Sequence, residues 1–335
     1  RKGIVLALDL EKYDFRPGSA SLVRPTEGTI LERIPIRVKI RKNAPLEFPH
    51  VLVLIDDPEK TVIEPFFADA AREVLYDSDL MGGAGHVTGR FVPAGEAAPR
   101  LARSLEALLR PERLRRRYGS EDRLLFAVGD GNHSLAAAKT VWEDLKPGLS
   151  PAERRVHPAR FALVEIVNLF DPGIEFEPIH RVLTEIDPSE FFRYLRGRNG
   201  FSLTPAQPGE TESLMNGAPE PIDDVALISG ERSTFLSFPA NGGGRLAGVV
   251  DGIIGDFIRL GSRGRTDYIH GRDSLVTLCR RGDAVGFLLP SLRKEMLFPT
   301  IARDGVLPRK AFSIGEAQEK RFYLEGRKID GGPKL

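Results

Sequence analysis

The run Phe126-Ala127-Val128-Gly129-Asp130-Gly131-Asn132-His133-Ser134 gathers a carboxylate, an amide, an imidazole and a hydroxyl around one glycine. The apolar stretch Leu124 to Val128 enters this polar turn, and a helix-like segment, Leu135 to Leu145, leaves it. A strand that turns into a helix leaves the first helical N–H groups without partners, with the positive end of the helix dipole behind them. Such a turn attracts phosphate or carboxylate. The small residues Ala136-Ala137-Ala138 that open the helix would let a bulky ligand approach the backbone. The plainer alternative is that Asp130 or Asn132 only caps the helix.

A second cluster, Arg24-Pro25-Thr26-Glu27-Gly28-Thr29, holds a cation, a carboxylate and two hydroxyls beside a glycine. As chemistry, Glu27 is a general base and Arg24 a phosphate clamp; the alternative is an exposed polar loop. In Pro178-Ile179-His180-Arg181, strand alternation puts the imidazole and the guanidinium on opposite faces, and a structural histidine competes with a catalytic one. Tyr268-Ile269-His270 and Arg309-Lys310 are further candidate anion contacts, each weak on its own. The stretch Asp77 to Gly89 is no dinucleotide loop, because its third glycine is misplaced and no apolar strand directly precedes it. It reads as a flexible loop over a site, with Asp77 or Asp79 as metal contacts. The basic run Arg113 to Arg117 reads as a solvated helix face. The sequence contains no Walker A loop, no His-Glu-x-x-His and no Gly-x-Ser-x-Gly elbow.

These residues need a scaffold, and 335 residues with 41% hydrophobic and 28% charged composition describe an ordinary globular chain of two domains or one domain with a large insertion. With 48 basic and 47 acidic residues the net charge is +1, so no global field recruits nucleic acid or an anionic membrane, and a small-molecule partner is expected. No apolar run has the length to span a bilayer. Cys279 is the only cysteine, which excludes an intrachain disulfide and a thiolate zinc site and suggests a reducing, cytoplasmic setting. The chain begins Arg1-Lys2-Gly3 and runs into the strand-like Ile4 to Leu8; this is not a signal peptide, and a preceding N-terminal part is expected.

Alternation predicts a strand at Ile36 to Ile40, and apolar runs predict buried strands at Val51 to Ile55, Phe161 to Leu169 and Ala284 to Leu289. Phe176 to Arg181 continues the strand pattern. Leu227 to Phe238 and Leu246 to Val250 read as hairpin strands joined across Asn241-Gly242-Gly243-Gly244. Helices are expected over Val62 to Tyr76, over Leu101 to Tyr118 with an interruption at Pro111, and over Asp251 to Leu260 and Arg272 to Arg280. In the helix after the polar turn, Leu135, Ala138, Trp142 and Leu145 form one apolar stripe, and Lys146-Pro147-Gly148 ends it. The fold class is α+β, mixed sheets with flanking helices.

The clusters occur in an order that resembles one branch of the prokaryotic "domain of unknown function 1015" family. The resemblance runs through Arg24 to Val38, Phe126 to Glu143, Phe161 to Arg181 and Leu307 to Tyr323. The wider family carries Asp-Gly-His-His-Arg where this chain has Asp130-Gly131-Asn132-His133-Ser134, and an Arg-His-Glu-x-Thr pattern that overlays Arg24 to Thr29 with Glu27 as the shared carboxylate. The first motif is similar to that of free-serine kinases of the ParB/sulfiredoxin-like fold. The resemblance therefore implies a ParB/sulfiredoxin-like nucleotide-binding core over 1–182 and a second α/β subdomain over 183–335, its last segment, 303–325, returning to the core. It implies an ATP- or ADP-dependent, Mg²⁺-using kinase for a small hydroxyl compound such as free L-serine. Glu27, Asp130 and His133 would be catalytic, with Asp130 on the metal. Arg24, Thr29, Gly131, Asn132, Ser134, His180, Arg181, Arg309 and Lys310 would hold the nucleotide. Ser134 stands where the family motif has arginine, which removes a bidentate phosphate contact, and Asn132 stands for a histidine. A nucleotide-gated binding protein without metabolite turnover is the second reading.

Overall fold

Apolar runs closed by turn residues become the strands of two large sheets, beside two small two-stranded ones, in the computed structural model, which describes residues 1–48, 51–68, 72–216, 224–239, 245–261, 263–315 and 322–329. The chain divides into two compact units. The first comprises Arg1–Glu175, Phe298–Val306 and Gly315–Leu335; the second comprises Phe176–Leu297 and Leu307–Ile314. The fold is α+β.

Within Arg1–Glu175 of the first unit the strands are β1 (Gly3–Asp9), β2 (Val23–Pro25), β3 (Leu46–Glu47), β4 (Leu52–Ile55), β5 (Val74–Asp79), β6 (His86–Arg90), β7 (Phe126–Asp130) and β8 (Phe161–Asn168). The helices are α1 (Ile34–Lys42), α2 (Ala94–Leu108), α3 (Pro111–Tyr118), α4 (Asn132–Leu145) and α5 (Pro151–Val156). The main sheet has the order β1-β8-β4-β7-β2. Within it, β8 and β4 run parallel, as do β7 and β2, while β4 and β7 are antiparallel. All four residues of β4 are buried, which is why this strand reads as a continuous apolar run rather than an alternation.

Helix α4 is packed on two sides. Leu135, Ala138 and Trp142 join the sheet core with Val53, Val128 and Ile166, while Ala136 and Ala137 meet Ile34 and Val38 of α1. The small residues at its start therefore serve close packing, not ligand approach, since Ala136, Ala137 and Ala138 are all buried. This contact also explains why Ile36 to Ile40 is helical and not the expected strand. Pro35 suits a helical first turn, and Ile34 and Val38, four apart, are the positions that meet α4. Ile36 and Ile40 are left exposed.

Two more expectations change here. The helix expected over Val62 to Tyr76 is a short 3-10 turn, Glu64–Phe67, followed by β5; residues 69–71 lie outside the described ones. The β-branched and aromatic residues of β5 pair antiparallel with β6, so Asp77 to Gly89 is mostly hairpin rather than an open loop. The expected break at Pro111 is present, between α2 and α3.

The second unit is built on β9 (Phe176–Thr184), β10 (Ser202–Pro205), β11 (Val225–Ser229), β12 (Arg232–Ser237), β13 (Arg265–His270), β14 (Ala284–Leu288) and β15 (Phe312–Ile314). The sheet order is β10-β12-β11-β14-β9-β13, and β15 also pairs with β9. Its helices are α6 (Pro188–Arg196), α7 (Pro208–Met215), α8 (Leu246–Arg259) and α9 (Arg272–Cys279). Successive residues of β11 feed opposite faces. Val225 and Leu227 pack with Phe191 of α6 and Val250 and Phe257 of α8, while Ala226 and Ile228 pack with Leu214 of α7 and Leu275 and Val276 of α9. The expected strand Leu246 to Val250 is instead the first turn and a half of α8, because Leu246, Val250, Ile253, Ile254 and Phe257 recur at helical spacing and are all buried. The turn Asn241 to Gly244 lies outside the described residues.

Candidate functional site

Strand β7 ends at Asp130, and Gly131 takes φ +83°, a left-handed conformation that would strain a residue with a Cβ by about 1 kcal/mol. The Gly131 N–H donates to Asp130 Oδ1 at 2.8 Å. The first amides to bond within α4 are those of Ser134 and Leu135, both reaching the Gly131 carbonyl at 2.9 Å. The N–H groups of Asn132 and His133 precede them at the positive end of the helix. The N-cap residue itself, Gly131, has no side chain with which to cap the helix.

The parallel pairing of β2 with β7 (Val23 to Phe126, Arg24 to Ala127, Pro25 to Val128) delivers both chains to the same carboxyl end of the sheet. In open α/β sheets that end is where ligands gather. Thr26 Oγ1 donates to the Val128 carbonyl at 2.8 Å, and the Ile30 N–H donates to His133 Nε2 at 3.1 Å. The loop between these anchors carries Glu27, Gly28 and Thr29. A neutral His133 that accepts at Nε2 holds its proton on Nδ1. The structure thus brings Glu27 and Thr29 to the turn of Asp130, Gly131, Asn132, His133 and Ser134. Asn132 is buried and the other six are half-buried.

Of the expected arginines, the one in this unit, Arg24, is not a free cation. Arg24 is 6% exposed; Nη1 bonds Asp122 Oδ2 at 2.6 Å, Nη2 bonds Asp122 Oδ1, and Nε donates to the Ser21 carbonyl at 2.8 Å. A guanidinium so held is a structural tie, its charge already answered by Asp122.

His180, Arg181, Arg309 and Lys310 belong to the second unit. Arg181 is fully buried: Nε and Nη2 bond Asp251 at 2.9 and 3.1 Å, Nη1 donates to the carbonyls of Ile179 and Lys310, Nη2 donates to that of Arg309, and the Tyr268 ring lies 4.9 Å away. It staples β9 to α8 and to the turn at Arg309 and Lys310, whose side chains are exposed and whose backbone it uses. His180 points to the other face, as alternation requires, and accepts from the Leu289 N–H at Nδ1, 3.1 Å.

Burial first, then the positive charges of Arg272, Arg181 and His270, bring the His180 imidazole down to about 4 from its ordinary 6.5. The unfolded chain therefore binds the extra proton between those values. His180 contributes full stability above pH 6.5 and loses up to about 3 kcal/mol of it as pH falls to 4. His180→Asn is expected to flatten that part of the stability–pH profile. Urea midpoints of both proteins at pH 7.5 and pH 5 would check it, and parallel profiles would refute it.

Asp77 and Asp79 flank His86 across the β5–β6 hairpin, Asp79 Oδ1 at 2.8 Å from Nδ1 and Asp77 Oδ1 on Nε2. Hydrogen bonds donated to both carboxylates, Asp79 first and then Asp77, hold the imidazole above its usual range, so these aspartates serve an ion pair. Among the described residues no group of three or more histidine, cysteine, aspartate or glutamate side chains is placed to hold a metal. The basic run on α3 is only half solvated. Arg117 and Tyr118 bond Asp56, which is 2% exposed, while Arg115 and Arg116 face outward. Asp56 was legible as a turn residue; its position directly after a fully apolar strand was the signal that it needs cationic partners.

The family described as "Protein of unknown function (DUF1015)" matches residues 1–237. A search of curated proteins finds no match. Among solved structures, the chain is similar to a free serine kinase in complex with AMP (12% identity, 94% of this chain and 87% of that chain, TM-score 0.45). It is also similar to a mutant of free serine kinase in complex with ADP (12%, 94% and 88%, 0.46) and to SbnI with a C-terminal truncation from Staphylococcus aureus (8%, 97% and 87%, 0.48). None of these likenesses assigns a role to a residue here. No helix among the described residues is long and apolar enough to cross a membrane.

Proposed function

The chain belongs to the DUF1015 family of proteins of unknown function, and on that premise we propose that it is a phosphotransferase using ATP or ADP to phosphorylate the hydroxyl of a small compound such as free L-serine. The observation that carries this reading is the hydrogen bond from Ile30 N–H to His133 Nε2, which seats the Glu27 loop on the N-terminus of α4. A carboxylate able to take a proton then lies beside a backbone site able to take phosphate oxygens.

In this reading the N–H groups of Asn132 and His133 hold phosphate oxygens; that of Gly131 is already bonded to Asp130. Asp130 is the carboxylate for Mg²⁺, which commonly asks a protein for only one or two carboxylates and takes its other ligands from phosphate and water. Glu27 accepts the proton of the acceptor hydroxyl as its oxygen bonds to phosphorus and the bond to the leaving nucleotide oxygen breaks. The nucleotide supplies the phosphoryl group. The protein supplies position and charge, which is most of what phosphoryl transfer requires.

One observation favours the second reading, a nucleotide-gated binding protein without turnover: the arginine of the family motif is Ser134, and the nearby Arg24 is engaged by Asp122. Calorimetry with Mg²⁺ and ATP, ADP or AMP, followed by mass spectrometry of hydroxy amino acids incubated with protein and nucleotide, separates the two. A phosphorylated acceptor is the expected product. Binding without acceptor-dependent nucleotide breakdown selects the switch, and no nucleotide binding at all removes both.

A further inference from the structure

Asn132 is 5% exposed, and its Oδ1 is buried with no hydrogen-bond partner among the described residues. It occupies the first position of α4, directly after the Gly131 cap, and does not cap the helix itself. Thr29 Oγ1, one residue before the Ile30 N–H that bonds His133, is likewise buried without a partner among the described residues. Two unanswered polar atoms thus sit, one residue away in sequence, beside the two ends of the hydrogen bond from Ile30 N–H to His133 Nε2. Buried side-chain polar atoms in folded proteins are nearly always paired, so an unpaired one at a helix N-terminus calls for an explanation. Phosphate cannot supply it: its oxygens accept hydrogen bonds, and Oδ1 is also an acceptor.

We infer that Asn132 Oδ1 accepts a hydrogen bond from an ammonium or hydroxyl of the acceptor compound, a donor other than the hydroxyl that is phosphorylated, and so determines which acceptors the site admits. The inference rests on the phosphotransferase reading for the identity of the ligand, but not for the unpaired amide itself. Thr29 Oγ1 can both donate and accept, and it supports the same compound from the loop side. Selection of this kind is sharp, because an analogue lacking the donor leaves the buried oxygen unanswered in the complex as well.

The test uses Asn132→Leu, which keeps the branched shape and the number of side-chain heavy atoms and removes the polar atoms. Without ligand its Tm is expected to equal or exceed that of the wild type, since no hydrogen bond inside the fold is lost. With L-serine, D-glycerate and 3-hydroxypropionate as probes, the wild type is expected to prefer the first two. L-serine carries an ammonium beside its hydroxymethyl group, D-glycerate carries a hydroxyl there, and 3-hydroxypropionate carries neither. Asn132→Leu should lose that preference by about tenfold in KM, with nucleotide affinity unchanged. Asn132→Asp, which keeps an acceptor oxygen in place, should retain it. The inference is overturned if Asn132→Leu lowers the ligand-free Tm by several degrees, if it weakens nucleotide binding while the acceptor preference stays, or if Asn132→Asp loses the preference. Failure of the phosphotransferase reading looks different: the wild type binds nucleotide and turns over no probe, while the ligand-free Tm still decides whether the amide is paired within the fold.

Discussion

Asp122→Ala is expected to lower the free energy of unfolding by about 3 kcal/mol, the larger of the two stability losses available at this ion pair. The Arg24 side chain is 8% exposed and that of Asp122 23%. Removing the aspartate strands a guanidinium inside the first unit with only the Ser21 carbonyl to answer it. Arg24→Met should cost less, because the better-exposed carboxylate can recover water, and Arg24→Met with Asp122→Leu should restore most of the loss. Urea unfolding reads this as a shifted midpoint at constant slope. Nucleotide affinity, measured well below the transition, is expected to be the same in all three variants. If Arg24→Met instead kept its stability and lost nucleotide affinity, Arg24 would return to the phosphate site and the case for the switch would lose its main support.

How far such a site is legible in a sequence depends on which interactions are local. The β7–turn–α4 unit was readable because its signals are contiguous: an apolar strand, a glycine that can take positive φ, and an apolar stripe at helical spacing. The α+β class followed from the same kind of local pattern. Helix α1 reads as a strand in sequence because Ile34, Ile36, Val38 and Ile40 alternate, and only the packing of Ile34 and Val38 on Ala136 and Ala137 decides otherwise. The helical start of α8 was hidden by the glycine-rich stretch before it. Partners were the least visible. Arg24 and Asp122 are 98 positions apart, and Arg181 depends on Asp251 and on two backbone carbonyls some 130 residues downstream. A sequence shows that a guanidinium exists; it does not show whether a carboxylate already holds it. The unpaired oxygen of Asn132 is the same problem reversed, since pairing is a property of the folded neighbourhood.

Turnover in Glu27→Gln is expected to fall by about 10²–10⁴-fold, the usual contribution of a general base, with nucleotide affinity nearly unchanged. The substitution is isosteric and leaves both anchors of the loop intact, because Thr26 Oγ1 on Val128 and Ile30 N–H on His133 do not involve the Glu27 side chain. What it removes is the atom that takes the acceptor proton while the new oxygen–phosphorus bond forms. The loss should therefore fall on kcat, with KM for the acceptor moving far less, because an interaction made chiefly in the transition state changes rate rather than ground-state binding. A rise in acceptor KM at constant kcat would instead make Glu27 a positioning residue. Under the switch reading, Glu27→Gln binds nucleotide as the wild type does and there is no turnover to lose, so the wild-type assay must be read first. If the wild type turns over and Glu27→Gln matches it, the proton goes elsewhere, and Asp130 becomes the remaining carboxylate on this turn, since a neutral His133 that accepts from Ile30 at Nε2 has no second lone pair to take it.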